Sequence, residues 1–358
     1  MREVGTLTVE DVGADAPAPN EVLVDVAAAG LCRSDLHFLD GRYSIAAPAI
    51  LGHESAGVVS AVGSDVEYVR PGDHVVTFFT VGCGRCPYCE QGDAYQCVAR
   101  DEAAGRSPGA PSRLTSTRGE RVGQLLNLGS FAEQVLVAED AVVRIPSEIP
   151  LDRACLLGCG VTTGLGAVRN TARVARGDSV AVIGCGGVGL AVVQGARIAG
   201  ADRIIAIDVV EEKLELARLL GATDALDGRG VDTAAAVMDA TGGIGVHHAF
   251  EALGSKATIE AAFSMLRRGG TATVVGLPPD EARLDIPAID LFDEKTLTGS
   301  KMGSTDFRRD IPTYLEWYRD GRLRLDEMVT RRLSLDGIND GFADMRRGLS
   351  ARSIVVFD

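Results

Sequence analysis

Four cysteines, Cys83, Cys86, Cys89 and Cys97, share the stretch CGRCPYCEQGDAYQC, with gaps of two, two and seven residues. Thiolates at that spacing can wrap one tetrahedral ion, and four soft anionic ligands with no open position describe a structural zinc site. Spacing alone also fits an iron–sulfur cluster or four unrelated buried thiols, although nothing else in the chain suggests electron transfer. A second set is dispersed: Cys32 in GLCRSDLH, His53 and Glu54 in GHESAG, and Cys159 in LLGCGVTTG. Taken singly, such residues are more often core than ligand.

A third constellation is local. GCGGVG places Gly184, Gly186 and Gly189 as GxGxxG, with Gly187 and Val188 completing the turn between the apolar run DSVAVIG and the helical text GVGLAVVQGARIAG. Glycines there let the backbone approach a pyrophosphate at the helix N-terminus, where unpaired N–H groups favour an anion. DRIIAID then delivers Asp208 nineteen residues after Gly189, placed to accept hydrogen bonds from both hydroxyls of a ribose. Its charge would repel a 2′-phosphate, and Val209 and Val210 offer no cation for one. The sequence therefore favours NAD over NADP.

These residues need a scaffold, and the text supplies two kinds. Residues 20–30, 55–62 and 73–79 alternate or run apolar between Gly, Pro and Asp breaks, which predicts short antiparallel strands. From about residue 165 strands and helices alternate: DSVAVIG, DRIIAID, VHHAFEAL and TATVVGLPP as strands, with EEKLELARLLGAT and SKATIEAAFSMLRRGG as helices between them. Such βαβ succession implies a parallel sheet covered on both faces. A helix around DIPTYLEWYRDGRL and a strand SIVVFD close the chain. Residues 99–123 carry no pattern and read as a long functional loop.

At 358 residues the chain is long for one core, so two domains are expected. A net charge of −14 without a basic stripe argues against nucleic acid. No apolar run reaches a membrane span, and the acidic start MREVGTLTVEDVG lacks the core of a signal peptide, so a cytoplasmic protein with reduced thiols is expected.

In order along the chain, CRSDLH, GHE, the four-cysteine lobe, GCG, GxGxxG, VVGLPP and a final Arg-Ser-Ile strand resemble the zinc-dependent alcohol dehydrogenases of the medium-chain dehydrogenase/reductase superfamily. The resemblance covers nearly the whole sequence. It implies an α/β protein: a GroES-like β-rich catalytic domain from 1–160 and 302–358, with its zinc lobe at 83–97, and a Rossmann doubly wound parallel sheet from 161–301. The active site would lie in the cleft between them.

By resemblance Cys32, His53 and Cys159 hold a catalytic zinc with one position open, Glu54 lies behind it and can exchange onto it, and the lobe holds a second zinc. Asp35 would accept the free ring N–H of His53. An alcohol at the open position would have its pKa lowered, Ser34 would take the proton, and the cofactor ribose would pass it to His37. Arg33 and Arg352 would meet the pyrophosphate and Lys213 the adenosine ribose. Val275 and Leu277 would flank the nicotinamide, backbone groups of Ser300 and Met302 would bind its carboxamide, and Thr163 would pack beneath it. Tyr43, Phe79 and the stretch from Leu125 and Leu126 to Leu128 would line the substrate pocket. Cys155 and Cys185 are left as small buried residues, and His74, His247 and His248 fall outside the pattern.

The expected reaction is reversible hydride transfer between NAD and a primary, medium-chain or aromatic alcohol or aldehyde. Two alternatives stand beside it. One is a thiol-adduct formaldehyde dehydrogenase; its glutathione-using branch carries an Arg four residues after the last lobe cysteine, where this chain has Asp101 beside Arg100. The other is a non-catalytic zinc- and NAD-binding module, against which the open-site triad argues. The 99–123 segment resembles that of the dimeric branch, so a homodimer is expected, with a homotetramer as the alternative.

Overall fold

EVLVDVAAAG starts with alternating side chains and ends wholly apolar. It forms a ten-residue strand, β2 (Glu21–Gly30), in the computed structural model, which describes residues 1–99 and 112–357. β4 (Ser55–Val62) pairs with it antiparallel along one edge. Along the other edge lie β8 (Gln134–Ala138), beside its first half, and β17 (Ser353–Val356), beside its last residues. β5 (His74–Thr77) and β9 (Val142–Ile145) extend the sheet beyond β4, and β16 (Arg331–Leu333) runs parallel to β17. The inward residues, among them Val22, Val24, Val75, Val137 and Val355, make one apolar core with Phe342 from the helix Ile338–Arg346.

Part of the segment expected to be an unpatterned loop is a hairpin. β6 (Leu114–Ser116) and β7 (Arg121–Gln124) pair antiparallel and lie between β1 (Val12–Ala14) and β3 (Ala49–Ile50). Arg113, at its start, pairs with Asp15 at 3.1 Å and Glu21 at 3.3 Å. Arg100 and Asp101 lie outside the described residues.

The Rossmann text forms a six-stranded parallel sheet. β10 (Ser179–Ile183), β11 (Arg203–Asp208), β12 (Asp224–Asp227), β13 (Val246–Glu251), β14 (Leu266–Val274) and β15 (Thr296–Gly299) lie in the order β12-β11-β10-β13-β14-β15. The winding reverses between β10 and β13, the kind of switch point where such sheets bind ligands at their carboxyl ends. The helix Glu211–Leu220 has two acids in its first turn, Arg218 in its last, and stops at Gly221 with φ +124. LRRGG is strand rather than the end of the preceding helix. That helix stops at Ser264, and pairing of β14 with β13 begins at Leu266, so sheet pairing overrides local helical preference.

The chain separates into two compact units: Met1–Cys159 with Asp306–Thr313 and Val329–Asp358, and Gly160–Thr305 with Tyr314–Met328. The sequence reading assigns all of 302–358 to the first. Tyr314–Met328 goes with the second because buried Gln194 reads the main chain of Arg324: its Oε1 accepts the N–H at 2.7 Å and its Nε2 donates to the carbonyl at 3.1 Å. Among the described residues no helix is long and apolar enough to cross a membrane.

Candidate active site and dinucleotide turn

Cys32 ends an extended segment and opens the helix Arg33–Leu39. Asp35, fully buried in the first turn, accepts the main-chain N–H of Cys32 at 3.2 Å and of Gly52 at 2.9 Å, and it accepts Nδ1–H of His53 at 3.0 Å. The carboxylate thereby fixes the tautomer and leaves Nε2 as the free nitrogen. Gly52 has φ +92, and a Cβ there would lie 2.6 Å from the Phe131 nitrogen, so the approach to His53 depends on that glycine.

Cys159 follows the turn Cys155–Gly158, which a Cβ on Gly158 would drive to within 2.8 Å of the Thr77 carbonyl oxygen. The ligand atoms of Cys32, His53 and Cys159 all lie within 4.8 Å of one another, and all three residues are buried. Contact with Cys159 holds the Cys32 thiol well below its usual range against the opposing effect of burial, with His53 adding to the lowering. Burial would lower His53, but Asp35 and Cys32 outweigh it and push the imidazole up to about 10. Two buried thiols and an imidazole crowded this way form a donor set that suits a zinc ion, which supplies the positive charge they call for.

Glu54 and Arg352 are paired, a contact the sequence reading did not include. Glu54 is fully buried and outside the three-residue donor cluster, and its carboxylate forms an ion pair with Arg352. Arg352, 5% exposed, also donates to the Leu31 carbonyl at 3.2 Å. Its guanidinium thus joins Glu54, beside the donor cluster, to the chain that leads into Cys32. Gly30 leaves the room, since a Cβ there would lie 2.1 Å from Glu54 Oε1. No local sequence signal joins residues 54 and 352.

Ser34 and His37 lie three apart on the same short helix, hence on one face. Burial lowers the pKa of His37, and Arg42 and Arg33 add to the effect. Its ring meets Tyr43 edge-on at 6.0 Å, and Phe79 meets His53 edge-on at 5.7 Å, so of the expected pocket residues Phe79 flanks the donor cluster and Tyr43 flanks His37. Leu125 and Leu128 are core residues, whereas Leu126 is partly exposed at φ +53. Arg33 is exposed and donates to the Met345 carbonyl.

The lobe cysteines gather as well. The sulfurs of Cys83, Cys86, Cys89 and Cys97 lie within 4.8 Å of one another, with Cys86 Sγ 3.5 Å from Cys89 Sγ. The N–H of Cys89 draws Cys86 down to about 6, and burial pushes Cys89 up to about 12. Crowded thiols ionise unequally until a cation neutralises them.

In the second unit, Gly184 turns the chain at φ +93 after β10, and a Cβ on Gly189 would lie 1.8 Å from the Gly184 carbonyl. At Gly186 a Cβ would meet no protein atom within 4 Å, so this glycine leaves open ground where a dinucleotide backbone can approach. The helix Gly187–Ala199 starts at Gly186 with no side-chain cap, and its first turn, Gly187, Val188 and Gly189, has no intrahelical acceptor. Asp208 ends β11. Its carboxylate accepts N–H groups of Cys185 at 2.7 Å and of Val209 and Val210 at 2.8 and 3.1 Å, which fixes a negative charge beside the turn. These features fit a dinucleotide.

Thr163 Oγ1 lies 3.5 Å from Met302 Sδ, and Ser300 shares a hydrogen bond with Thr171 at 2.7 Å. Val275 follows β14, Leu277 is 48% exposed just beyond, and Lys213 lies on the helix after Asp208. The sequence reading missed Glu251, the buried last residue of β13, whose only signal was an acid at a strand end three residues before a glycine.

The description "Alcohol dehydrogenase GroES-like domain" matches residues 18–147, and "Zinc-binding dehydrogenase" matches 187–320. An S-(hydroxymethyl)glutathione dehydrogenase of Escherichia coli O1:K1 / APEC is 39% identical over 98% of this chain and 96% of its own length. This chain belongs to the zinc-dependent alcohol dehydrogenases of the medium-chain superfamily. The benzyl alcohol dehydrogenase of Acinetobacter calcoaceticus is 32% identical, with a TM-score of 0.89 over 97% of this chain and 94% of that one. A putative zinc-binding dehydrogenase of Sinorhizobium meliloti 1021, solved with NADP, is 29% identical, with a TM-score of 0.84 over 99% and 97%. As a zinc-dependent dehydrogenase the chain is an oxidoreductase that works with zinc and a nicotinamide dinucleotide.

Proposed function

We propose that this dehydrogenase interconverts primary alcohols and aldehydes with NAD, favouring medium-chain and aromatic substrates, and that it carries two zinc ions, one at Cys32, His53 and Cys159 and one in the lobe. The observation that carries the reading is the buried three-residue donor set flanked by the Phe79 ring on His53. When bound there, zinc acts as a Lewis acid toward a hydroxyl. Ser34 Oγ accepts the hydroxyl proton, and His37 is its outlet to solvent. Asp35 keeps His53 aimed, and the Glu54–Arg352 pair neutralises charge behind the cluster. Asp208 selects NAD by repelling a 2′-phosphate. Formation of NADH with benzyl alcohol, lost on strong chelation and restored by zinc, tests the reading; turnover that survives chelation contradicts it.

A second reading is favoured by the name of the 39% relative: oxidation of an S-hydroxymethyl thiol adduct. Formaldehyde with and without glutathione or another thiol separates the two. We also propose a homodimer. β15 is an edge strand, and the adjoining helix Ala288–Phe292 exposes Ile289, Leu291 and Phe292, a face that a second copy would cover. Light scattering gives the oligomeric state; a tetramer would favour the alternative.

A further inference from the structure

Neither the glycine motif nor the proton path uses Glu251, yet the turn at the nicotinamide end of the cofactor site hangs on it. The residue is fully buried. Its Oε1 accepts the N–H of Leu253 at 2.9 Å and of Gly254 at 2.8 Å and the hydroxyl of Thr258 at 2.7 Å, and its Oε2 lies 3.0 Å from the Gly254 nitrogen. Its own main-chain carbonyl accepts the N–H of Val275 at 2.8 Å and of Gly276 at 2.9 Å. One residue therefore ties the turn after β13 to the chain leaving β14.

The two segments are also interlocked. A Cβ on Gly254 would lie 2.3 Å from the Leu277 carbonyl oxygen, and one on Gly276 would lie 2.2 Å from the Gly254 nitrogen. The Leu253 side chain rests against the first glycine of the dinucleotide turn, where a Cβ on Gly184 would come within 2.8 Å of it. Burial raises the carboxyl pKa of Glu251, so an acid is kept here at a cost that its hydrogen bonds must offset.

We propose that Glu251 is a positioning residue for the nicotinamide: its carboxylate sets the turn 252–255 and, through it, the placement of Val275 and Leu277. The proposal rests on the NAD reading above. The test compares NADH with ADP-ribose, which lacks the nicotinamide, by titration of the intact chain. Glu251→Gln keeps the volume but removes the charge that the three donors at Oε1 share and puts an amide donor in the place of Oε2, against the Gly254 N–H. The expected result is a tenfold or larger rise in Kd for NADH, less than threefold for ADP-ribose, and a higher KM for NAD. Equal weakening of both ligands, or of neither, overturns it. Thr258→Val, which removes one donor and leaves the carboxylate, should shift the same ratio in the same direction by about threefold, and it carries the test if the Gln variant does not fold. Wild type that binds neither ligand would defeat the NAD reading itself, whatever Glu251 does.

Discussion

His53 donates its Nδ1–H to Asp35 at 3.0 Å, and the same carboxylate holds the N–H of Cys32, so two members of the donor set take their aim from one buried acid. Asp35→Asn should therefore loosen the catalytic metal by about 10- to 100-fold. Metal analysis during graded chelation checks this: the zinc of the first site should leave early while the lobe zinc stays. Unchanged retention would mean that Asp35 only starts the helix.

The lobe and the triad should separate by phenotype. The lobe has few buried apolar side chains, so Cys83→Ser should lower thermal stability or solubility. Cys159→Ala should leave the fold intact and abolish turnover. One zinc per folded, active chain would contradict two sites.

His37 lies below its ordinary pKa because burial, then Arg42 and Arg33, disfavour its protonated form. The proton outlet should accordingly stay neutral, and working, down to a pH below 6.5, and alcohol oxidation should fall only beneath that. His37→Gln should remove this limb from the profile of kcat/KM and lower the plateau by about 10- to 100-fold. A limb that persists in the variant belongs to another group.

In the proposed function Asp208 sets the cofactor choice. With Asp208→Gly the preference for NAD over NADP, read as a ratio of kcat/KM values, should narrow by tenfold or more as NAD weakens and the repulsion disappears. A wild-type preference for NADP would refute the argument from charge.

What the sequence disclosed follows how far apart the interacting residues lie. The turn from Gly184 to Gly189 and Asp208 could be read because strand, glycines, helix and acid are consecutive. The gathering of the lobe could be read because its four cysteines span one short stretch. The Glu54–Arg352 pair could not, because its partners are joined only when β17 docks beside β2, and the motif offered each a different role. The hairpin β6–β7 escaped for a related reason: its strands are three and four residues long, and they are stabilised by β1 and β3, which are distant in sequence. Glu251 escaped because all but one of the donors named for its carboxylate are main-chain N–H groups, which leave no mark on residue type, and the other, the Thr258 hydroxyl, belongs to an ordinary helix residue.

The central claim, a zinc dehydrogenase for apolar primary alcohols, is tested most directly by kcat/KM with NAD along the series ethanol, butanol, hexanol and benzyl alcohol, beside formaldehyde with glutathione. Each buried CH₂ contributes about 0.8 kcal/mol, roughly a fourfold gain, until the pocket is full. The account predicts a steep rise from ethanol to hexanol and benzyl alcohol, with the thiol adduct no better than hexanol. A flat series topped by the thiol adduct or by a carboxylated alcohol would contradict it.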